Sequence, residues 1–188
     1  IMDWLDRNGL AENTVILFMS DNGGFSLRPR AGELHTHNKP LKSGKGSAYE
    51  GGIREPMIVR WPGKVQPGTR CNDYLIIEDF FPTILEMAGI KKYSTVQHVD
   101  GKSFIPMLLQ TGNSSNGRDL YWHFPNNWGP TGPGIGATST IRSGKWKLIY
   151  FYEDSHFELY DIDSDIGELH NLSGQQYAMV REMAVKLG

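Results

Sequence analysis

Apolar positions in the N-terminal part of the chain recur at helical spacing or run together as short strands. Residues 1–9 carry apolar side chains on one helical face and end in Asn-Gly, a common helix stop. The continuous apolar run at 15–19 is bounded by turn residues and predicts a strand buried on both faces, as in parallel sheets. Residues 57–61 predict a second strand. Residues 74–88 predict a helix that is either kinked or begun by Pro82.

The C-terminal part has a different periodicity. Short β-rich runs separated by turns predict an antiparallel sheet with strands at 120–124, 139–142, 146–152 and 157–162. Residues 175–187 predict an amphipathic helix that packs by its apolar stripe. The polar stretch at 110–118 is the best linker candidate. We therefore expect an α/β part at 1–110 and an antiparallel β part with a terminal helix at 119–188.

Composition and charge narrow the function classes. A net charge of −2 offers no basic surplus for nucleic acid or an anionic membrane, so neither is expected as a partner. No apolar run approaches the ~20 residues that a membrane-spanning helix needs, so no membrane span is expected. The single cysteine, Cys71, excludes an internal disulfide.

The strand at 15–19 ends in Ser-Asp-Asn-Gly-Gly, and Asp21 and Asn22 follow it directly. Ligands of open α/β sheets bind beyond the carboxyl ends of the strands. A carboxylate and an amide carbonyl are hard oxygen donors suited to Ca²⁺ or Mg²⁺. Asp-Asn-Gly-Gly is also good hairpin-turn chemistry, although the following residues supply no returning strand. The motif alone leaves both interpretations open.

The loop at 22–48 is long, and loops of this size inside a compact domain are usually functional. Lys45 lies between two glycines, so its backbone can approach a ligand closely while its ammonium reaches an anion. Gly-Lys-Gly-Ser at 44–47 faintly resembles a nucleotide phosphate loop, but the first glycine of that motif is missing.

Several longer motifs run through nearly the whole chain. They are Ser-Asp-Asn-Gly-Gly at 20–24, Lys-Gly-Ser-Ala-Tyr-Glu-Gly-Gly-Ile-Arg-Glu-Pro at 45–56, Trp-Pro-Gly at 61–63, Asp-Phe-Phe-Pro-Thr at 79–83, Gly-Lys-Ser-Phe at 101–104, Ile-Arg-Ser-Gly-Lys-Trp-Lys-Leu-Ile at 141–149 and Glu-Leu-Tyr-Asp at 158–161. With these motifs the chain resembles the type I sulfatases, arylsulfatase-like members of the alkaline phosphatase superfamily. The block at 45–56 is by far the most specific.

The resemblance implies a fold and a set of roles. The fold is α/β: the C-terminal part of an alkaline-phosphatase-like α/β sandwich, followed by a small four-stranded antiparallel domain with a packed helix. Asp21 and Asn22 would be two ligands of one divalent cation, usually Ca²⁺, with Mg²⁺ also possible. Lys45 would contact a sulfate oxygen. The substrate would be a small-molecule or oligosaccharide sulfate ester, and the location extracytoplasmic.

The chain also departs from the family pattern. Sulfatases make a formylglycine nucleophile from a Cys/Ser-x-Pro-x-Arg motif, and the residues around Cys71 do not match it. We therefore expect the formylglycine upstream, in the N-terminal remainder of the same catalytic domain, and expect this fragment to be inactive alone. A phosphoester or phosphonate hydrolase of the same superfamily and a non-catalytic binding fragment are the alternatives. The nucleophile motif would distinguish a sulfatase from a phosphoester or phosphonate hydrolase.

Two histidines are candidates for contacts with the substrate. His37, with His35 in the same loop, is a candidate for contacting the leaving group or sugar, against simple solvent exposure. His123 lies in Tyr-Trp-His-Phe-Pro, where the aromatic rings of Trp122 and Trp128 favour stacking on a sugar. Packing between domains is the alternative explanation for His123.

Overall fold

The structure is a computed structural model, and it describes residues 1–25, 37–112, 117–127 and 132–188. The chain forms two compact units, of which one comprises Ile1–Phe18 with Met57–Asn116 and the other Met19–Pro56 with Gly117–Gly188. The change of unit at 116/117 falls inside the polar stretch predicted as a linker. The division of the longer protein into domains at 1–110 and 119–188 stays a prediction.

The first unit contains short elements. Its helices are α1 (Met2–Arg7), α3 (Phe80–Met87) and α4 (Ile105–Leu108), with 3₁₀ turns at Ala11–Asn13 and Ile77–Asp79. Strands β1 (Ile16–Met19, whose last residue belongs to the second unit) and β2 (Met57–Arg60) form a two-stranded sheet. Helix α3 starts later than the predicted 74–88 because Pro82 is tolerated only in the first turn.

The prediction that β1 is buried on both faces is wrong for this chain. The side chain of Phe18 is 63% exposed, and that of Ile58 on the neighbouring strand β2 is 64% exposed. A strand becomes buried on both faces only when other layers cover both sides of its sheet. The described residues do not supply those layers for β1 and β2.

Two of the motifs noted in the sequence have a structural role in the first unit. Asp79 is fully buried, and its carboxylate accepts hydrogen bonds from the backbone N–H groups of Ile76 (3.0 Å) and Lys102 (2.8 Å). Thr83 accepts one from the Phe104 N–H at 3.0 Å. A Cβ on Gly101 would lie 1.9 Å from the Glu78 carbonyl oxygen. These contacts fasten the start of α3 to the segment at 101–104.

The second unit confirms the predicted antiparallel sheet. Its strands run in the order β3 (Leu120–Phe124), β4 (Thr138–Ser143), β5 (Trp146–Phe151) and β6 (His156–Asp161). One face packs against helix α5 (Tyr177–Leu187) through a fully buried cluster of Ile141, Leu148, Leu159 and Met183. The other face packs against the segment at 48–49, which precedes helix α2 (Glu50–Ile53), in a cluster of Ala48, Tyr49, Ile149, Tyr160 and Ile162.

No helix in the described part of the chain is long and apolar enough to cross a lipid bilayer.

Candidate functional site

The loop after β1 presents the two predicted metal ligands. Asp21 is exposed and Asn22 is half-buried. The Ser20 hydroxyl donates to the Asn22 carbonyl oxygen at 2.8 Å, and the Asn22 side-chain Nδ2 donates to the Gly23 carbonyl oxygen at 3.1 Å. With its nitrogen engaged, the amide of Asn22 has its Oδ1 left as the atom able to ligate a cation.

This loop lies directly against the segment that carries Lys45. The Gly23 N–H donates to the Gly52 carbonyl oxygen at 3.2 Å, and the Lys45 N–H donates to the Gly24 carbonyl oxygen at 3.2 Å. Asn38 joins the same two segments, because its Nδ2 donates to the carbonyl oxygens of both Gly24 and Ser43 at 2.9 Å. The structure therefore brings the Asp21–Asn22 loop and the Lys45 backbone together.

The side chain of Lys45 has no partner among the described residues. It is partly exposed, and no described residue forms a hydrogen bond or ion pair with its ammonium. Gly44 before it is buried, and Gly46 after it has φ +85°, a left-handed conformation that favours glycine. A lysine on such a backbone can place its charge on a bound ligand rather than on a protein partner.

Glu55 lies close to Asp21 and adds a second carboxylate. Burial, reinforced by the negative charge of Asp21, raises the pKa of Glu55 above its ordinary value. Its Oε1 is buried and has no hydrogen-bond partner in the described part of the chain. Oxygen atoms of this kind fit a hard divalent cation.

These residues fit only part of a metal site. No group of three His, Cys, Asp or Glu side chains within the described ranges could hold an ion. Ca²⁺ takes six to eight oxygen ligands, so other ligands would have to complete the sphere around Asp21 and Asn22.

A buried ionic cluster underlies the Lys45 segment. The Lys147 ammonium on β5 is fully buried and lies 3.0 Å from Glu50 Oε1 and 2.9 Å from Glu168 Oε1. Glu168 Oε2 accepts a hydrogen bond from the Glu50 backbone N–H at 2.7 Å. Arg54, one helical turn after Glu50, pairs with Glu50 Oε2 at 3.1 Å. We call Glu50, Lys147 and Glu168 the anchor cluster.

The two carboxylates of the anchor cluster differ in their pKa. Burial opposes ionisation of Glu50, but the charge and hydrogen bond of Lys147, together with the hydrogen bond of Arg54 and the charge of Arg142, outweigh it and lower the pKa of Glu50 below its ordinary value. Burial raises the pKa of Glu168, and the attraction of Lys147 only partly offsets this. Glu50 is thus the more firmly ionised partner of Lys147.

Two tyrosines and Lys42 extend the contacts along the same sheet face. The Lys42 ammonium lies 3.7 Å from the centre of the Tyr49 ring and donates to the Tyr160 hydroxyl at 3.2 Å. Both tyrosine hydroxyls donate to Glu158 Oε2, at 2.6 Å from Tyr49 and 2.8 Å from Tyr160. Burial, with Glu158 adding to it, raises the pKa of both tyrosines, so they stay protonated.

The predicted histidines do not converge in the same way. His37 is exposed, while His35 and Trp128 lie outside the described residues. His123 Nδ1 hydrogen-bonds with Ser139 Oγ at 2.7 Å. Ser139 is two positions before Ile141 on β4, so these two side chains point to the same face, which α5 covers. His123 lies directly opposite Ser139 on β3 and therefore points to that face too.

The Lys45 segment lies on the other side of that sheet. Lys147 and Ile149 point to the face covered by Tyr49 and Glu50, opposite to His123. The roles of His37 and His123 in substrate binding stay predictions.

Sequence reasoning missed Asn38 and the anchor cluster. Glu50 and Lys147 both lie within quoted motifs, but the sequence assigned neither of them a role. A signal did exist, since Lys147 interrupts a run of large apolar residues on a central strand. A lysine there is buried only if it is paired.

Comparison with known proteins places this chain in a family. Residues 44–187 match the family model described as N-sulphoglucosamine sulphohydrolase, C-terminal. The chain is 39% identical to a sulfatase of Formosa agariphila, over 88% of the chain and 30% of that protein. It is 31% identical to human arylsulfatase A, over 88% of the chain and 34% of that protein.

A solved structure shows the same fold. The crystal structure of Ps i-CgsB in complex with k-i-k-neocarrahexaose aligns with 99% of this chain and 39% of its own length, with a TM-score of 0.77 and 31% sequence identity. The chain thus spans about a third of the length of the relatives it matches.

Proposed function

Because this chain belongs to the type I sulfatase family, as its C-terminal portion, we propose that it forms part of an enzyme that hydrolyses a sulfate ester of a carbohydrate. The observation that carries the proposal is the pairing of two loops. The Asp21–Asn22 loop and the Lys45 segment share backbone hydrogen bonds, which supports one common site for the proposed oxygen ligands and for an ammonium that no described residue pairs. A sulfated sugar is supported by the likeness to a sulphoglucosamine sulphohydrolase model and to a structure with a bound oligosaccharide.

The proposed chemistry follows from where charge develops. As the ester bond breaks, negative charge builds on the sulfuryl oxygens and on the leaving oxygen. Asp21 and Asn22 would hold a divalent cation, Ca²⁺ first, which would supply Lewis-acid stabilisation when bound. The Lys45 ammonium would bind a sulfuryl oxygen and hold it in position. Gly23, which packs against Gly51, would help to keep the metal loop preorganised.

The nucleophile and the remaining metal ligands would come from other parts of the protein. Residues 1–188 contain no Cys/Ser-x-Pro-x-Arg motif, from which the family's formylglycine is made. We therefore propose that the fragment is inactive alone and works with the N-terminal remainder of the same catalytic domain, outside the cytoplasm.

Substrate profiling of the complete protein tests this proposal. We expect turnover of an aryl sulfate and of a sulfated amino-sugar or galactan oligosaccharide, lost on chelation and restored by Ca²⁺. The matched control is the corresponding phosphate monoester and phosphonate monoester under identical conditions. Faster turnover of either phosphorus ester would overturn the sulfatase assignment in favour of the rival hydrolase. Substrate binding without any turnover would favour a non-catalytic role.

A further inference from the structure

We propose that Lys147 is a positioning residue that holds both Lys45 and the Asp21–Asn22 loop in place through Glu50. The inference rests on the proposed function, because it assigns Lys147 a role in that same site. Lys147 belongs to the antiparallel sheet and lies on a strand with no other candidate residue. It would act on the reaction only through the segment that it anchors.

The anchor cluster fixes the start of α2 from two directions. Lys147 reaches the Glu50 side chain at 3.0 Å, and Glu168, paired with the same ammonium, accepts the Glu50 backbone N–H at 2.7 Å. Both ends of Glu50 are therefore attached to the sheet and its following loop. Glu50 and Glu168 are 4% and 1% exposed, so water does not substitute for either contact.

The segment behind Glu50 has no room to shift independently. A Cβ on Gly51 would lie 2.3 Å from the Lys42 carbonyl oxygen, before Lys45. A Cβ on Gly52 would lie 2.2 Å from the Ser47 carbonyl oxygen, after Lys45. The Gly51 N–H also donates to the Lys42 oxygen at 2.9 Å. Because α2 packs backbone to backbone on both sides of Lys45, a displacement of Glu50 moves Lys45 with it.

The same contact continues to the predicted metal loop. The Gly23 N–H donates to the Gly52 carbonyl oxygen at 3.2 Å, and a Cβ on Gly23 would lie 1.8 Å from the Gly51 oxygen. Asp21 and Asn22 precede Gly23 directly. One rigid stack thus joins Lys147, Glu50, α2 and the metal loop.

The charges of the anchor cluster indicate whether it serves stability or positioning. A buried ion pair is a poor device for stability, since apolar residues of similar volume often replace one without loss. It does fix direction and register, because an ammonium between two carboxylates has few alternative partners. Positioning therefore explains the buried Lys147 better than stability does.

The test compares Lys147→Met with Lys145→Met in the complete protein. Lys145 lies on the same hairpin, and its exposed ammonium pairs with Asp161, outside the anchor cluster. We expect Lys147→Met to lower kcat by about 10- to 100-fold, with KM changed by less than about threefold, because misplacement by about 1 Å can cost two orders of magnitude. The Ca²⁺ concentration for half-maximal activity should rise. Lys145→Met should match the wild type in kcat, in KM and in the Ca²⁺ concentration for half-maximal activity.

The design separates stability from positioning, with all rates measured well below the thermal midpoint. If Lys147→Met lowers only the midpoint and keeps the wild-type kcat, the proposal is overturned while the proposed function stands. If Lys147→Met does not fold, the variant K147M/E50Q/E168Q, which removes the three charges of the anchor cluster, replaces it. That variant should fold and show the same loss of kcat, and a wild-type kcat in it would overturn the proposal. A wild-type protein without sulfate-ester turnover would instead refute the proposed function.

Discussion

Gly23 and Gly51 touch so closely that a Cβ added to Gly23 would lie 1.8 Å from the Gly51 carbonyl oxygen. Real Cβ atoms do not approach an oxygen to this distance, so the contact exists only because residue 23 has no side chain. It holds the loop of Asp21 and Asn22 against α2. Glycine at this position is thus a requirement of packing between two segments.

Gly23→Ala should separate the two loops. We expect a loss of about 1–3 kcal/mol of stability, as for overpacked interiors, together with weaker Ca²⁺ binding and reduced turnover. Thermal unfolding and calcium titration of the complete protein measure both effects. Gly174→Ala is the matched control, because a Cβ there meets nothing within 4 Å. Equal behaviour of the two variants would refute the packing argument.

Lys45→Ala should slow the chemical step. An ammonium on the transferring sulfuryl group stabilises the transition state more than the ground state, so we expect kcat to fall about 10²–10³-fold while KM moves less. Steady-state kinetics on a chromogenic aryl sulfate with the complete protein would measure this change.

Two further variants define the Lys45 result. Lys45→Arg should not restore the rate, since the wider, planar guanidinium group cannot replace the compact ammonium between two glycines. The exposed Lys64 supplies the control, and Lys64→Ala should leave kcat within about twofold. A Lys45→Ala enzyme whose kcat also stays within that range would show that Lys45 is a solvent-facing residue of its loop with no part in the reaction.

Asp21→Ala should lower cation affinity and abolish turnover, because a carboxylate ligand supplies much of the charge that neutralises Ca²⁺. Elemental analysis of the purified complete protein, together with activity at saturating Ca²⁺, measures both. Asp3→Ala, at an exposed position of helix α1 in the other unit, supplies the comparison. Unchanged metal content and full activity in the Asp21 variant would remove Asp21 from the metal site.

The lowered pKa of Glu50 predicts a pH dependence of stability, whereas the raised pKa of Glu168 acts in the opposite direction. The pKa of Glu50 in the folded protein lies below its ordinary value of 4.5, so its ionic contacts stabilise the fold above that pH and are lost as the pH falls through the lowered pKa. We expect the thermal midpoint of the wild type to fall below about pH 4.5. The Glu50→Gln protein should be less stable than the wild type at neutral pH, and its thermal midpoint should change less as the pH falls.

Glu153→Gln is the control for the acid series, since Glu153 lies at an exposed turn between β5 and β6. Its thermal midpoint should fall with pH as steeply as that of the wild type. A Glu50→Gln protein whose midpoint falls as steeply in acid as that of the wild type would show that other carboxylates set the acid limit.

Local pattern was enough to predict much of this protein. The alternation along 120–162 predicted four antiparallel strands, and the stripe at 175–187 predicted the helix that packs on them; both are confirmed. Asp-Asn-Gly-Gly after an apolar run located the candidate metal loop, and the motif at 45–56 identified the family. Periodicity and short motifs succeed here because hydrogen bonding and side-chain direction within one element depend on neighbouring residues.

Tertiary structure decided which elements cover one another. Glu50 and Lys147 are 97 residues apart, and only the fold makes their charges a buried pair. The register of β3 and β4 placed His123 on the face under α5, away from the Lys45 segment. The exposure of Phe18 likewise depends on layers that no local pattern specifies. A sequence states which face of an element is apolar, whereas its covering partner follows from packing between distant segments.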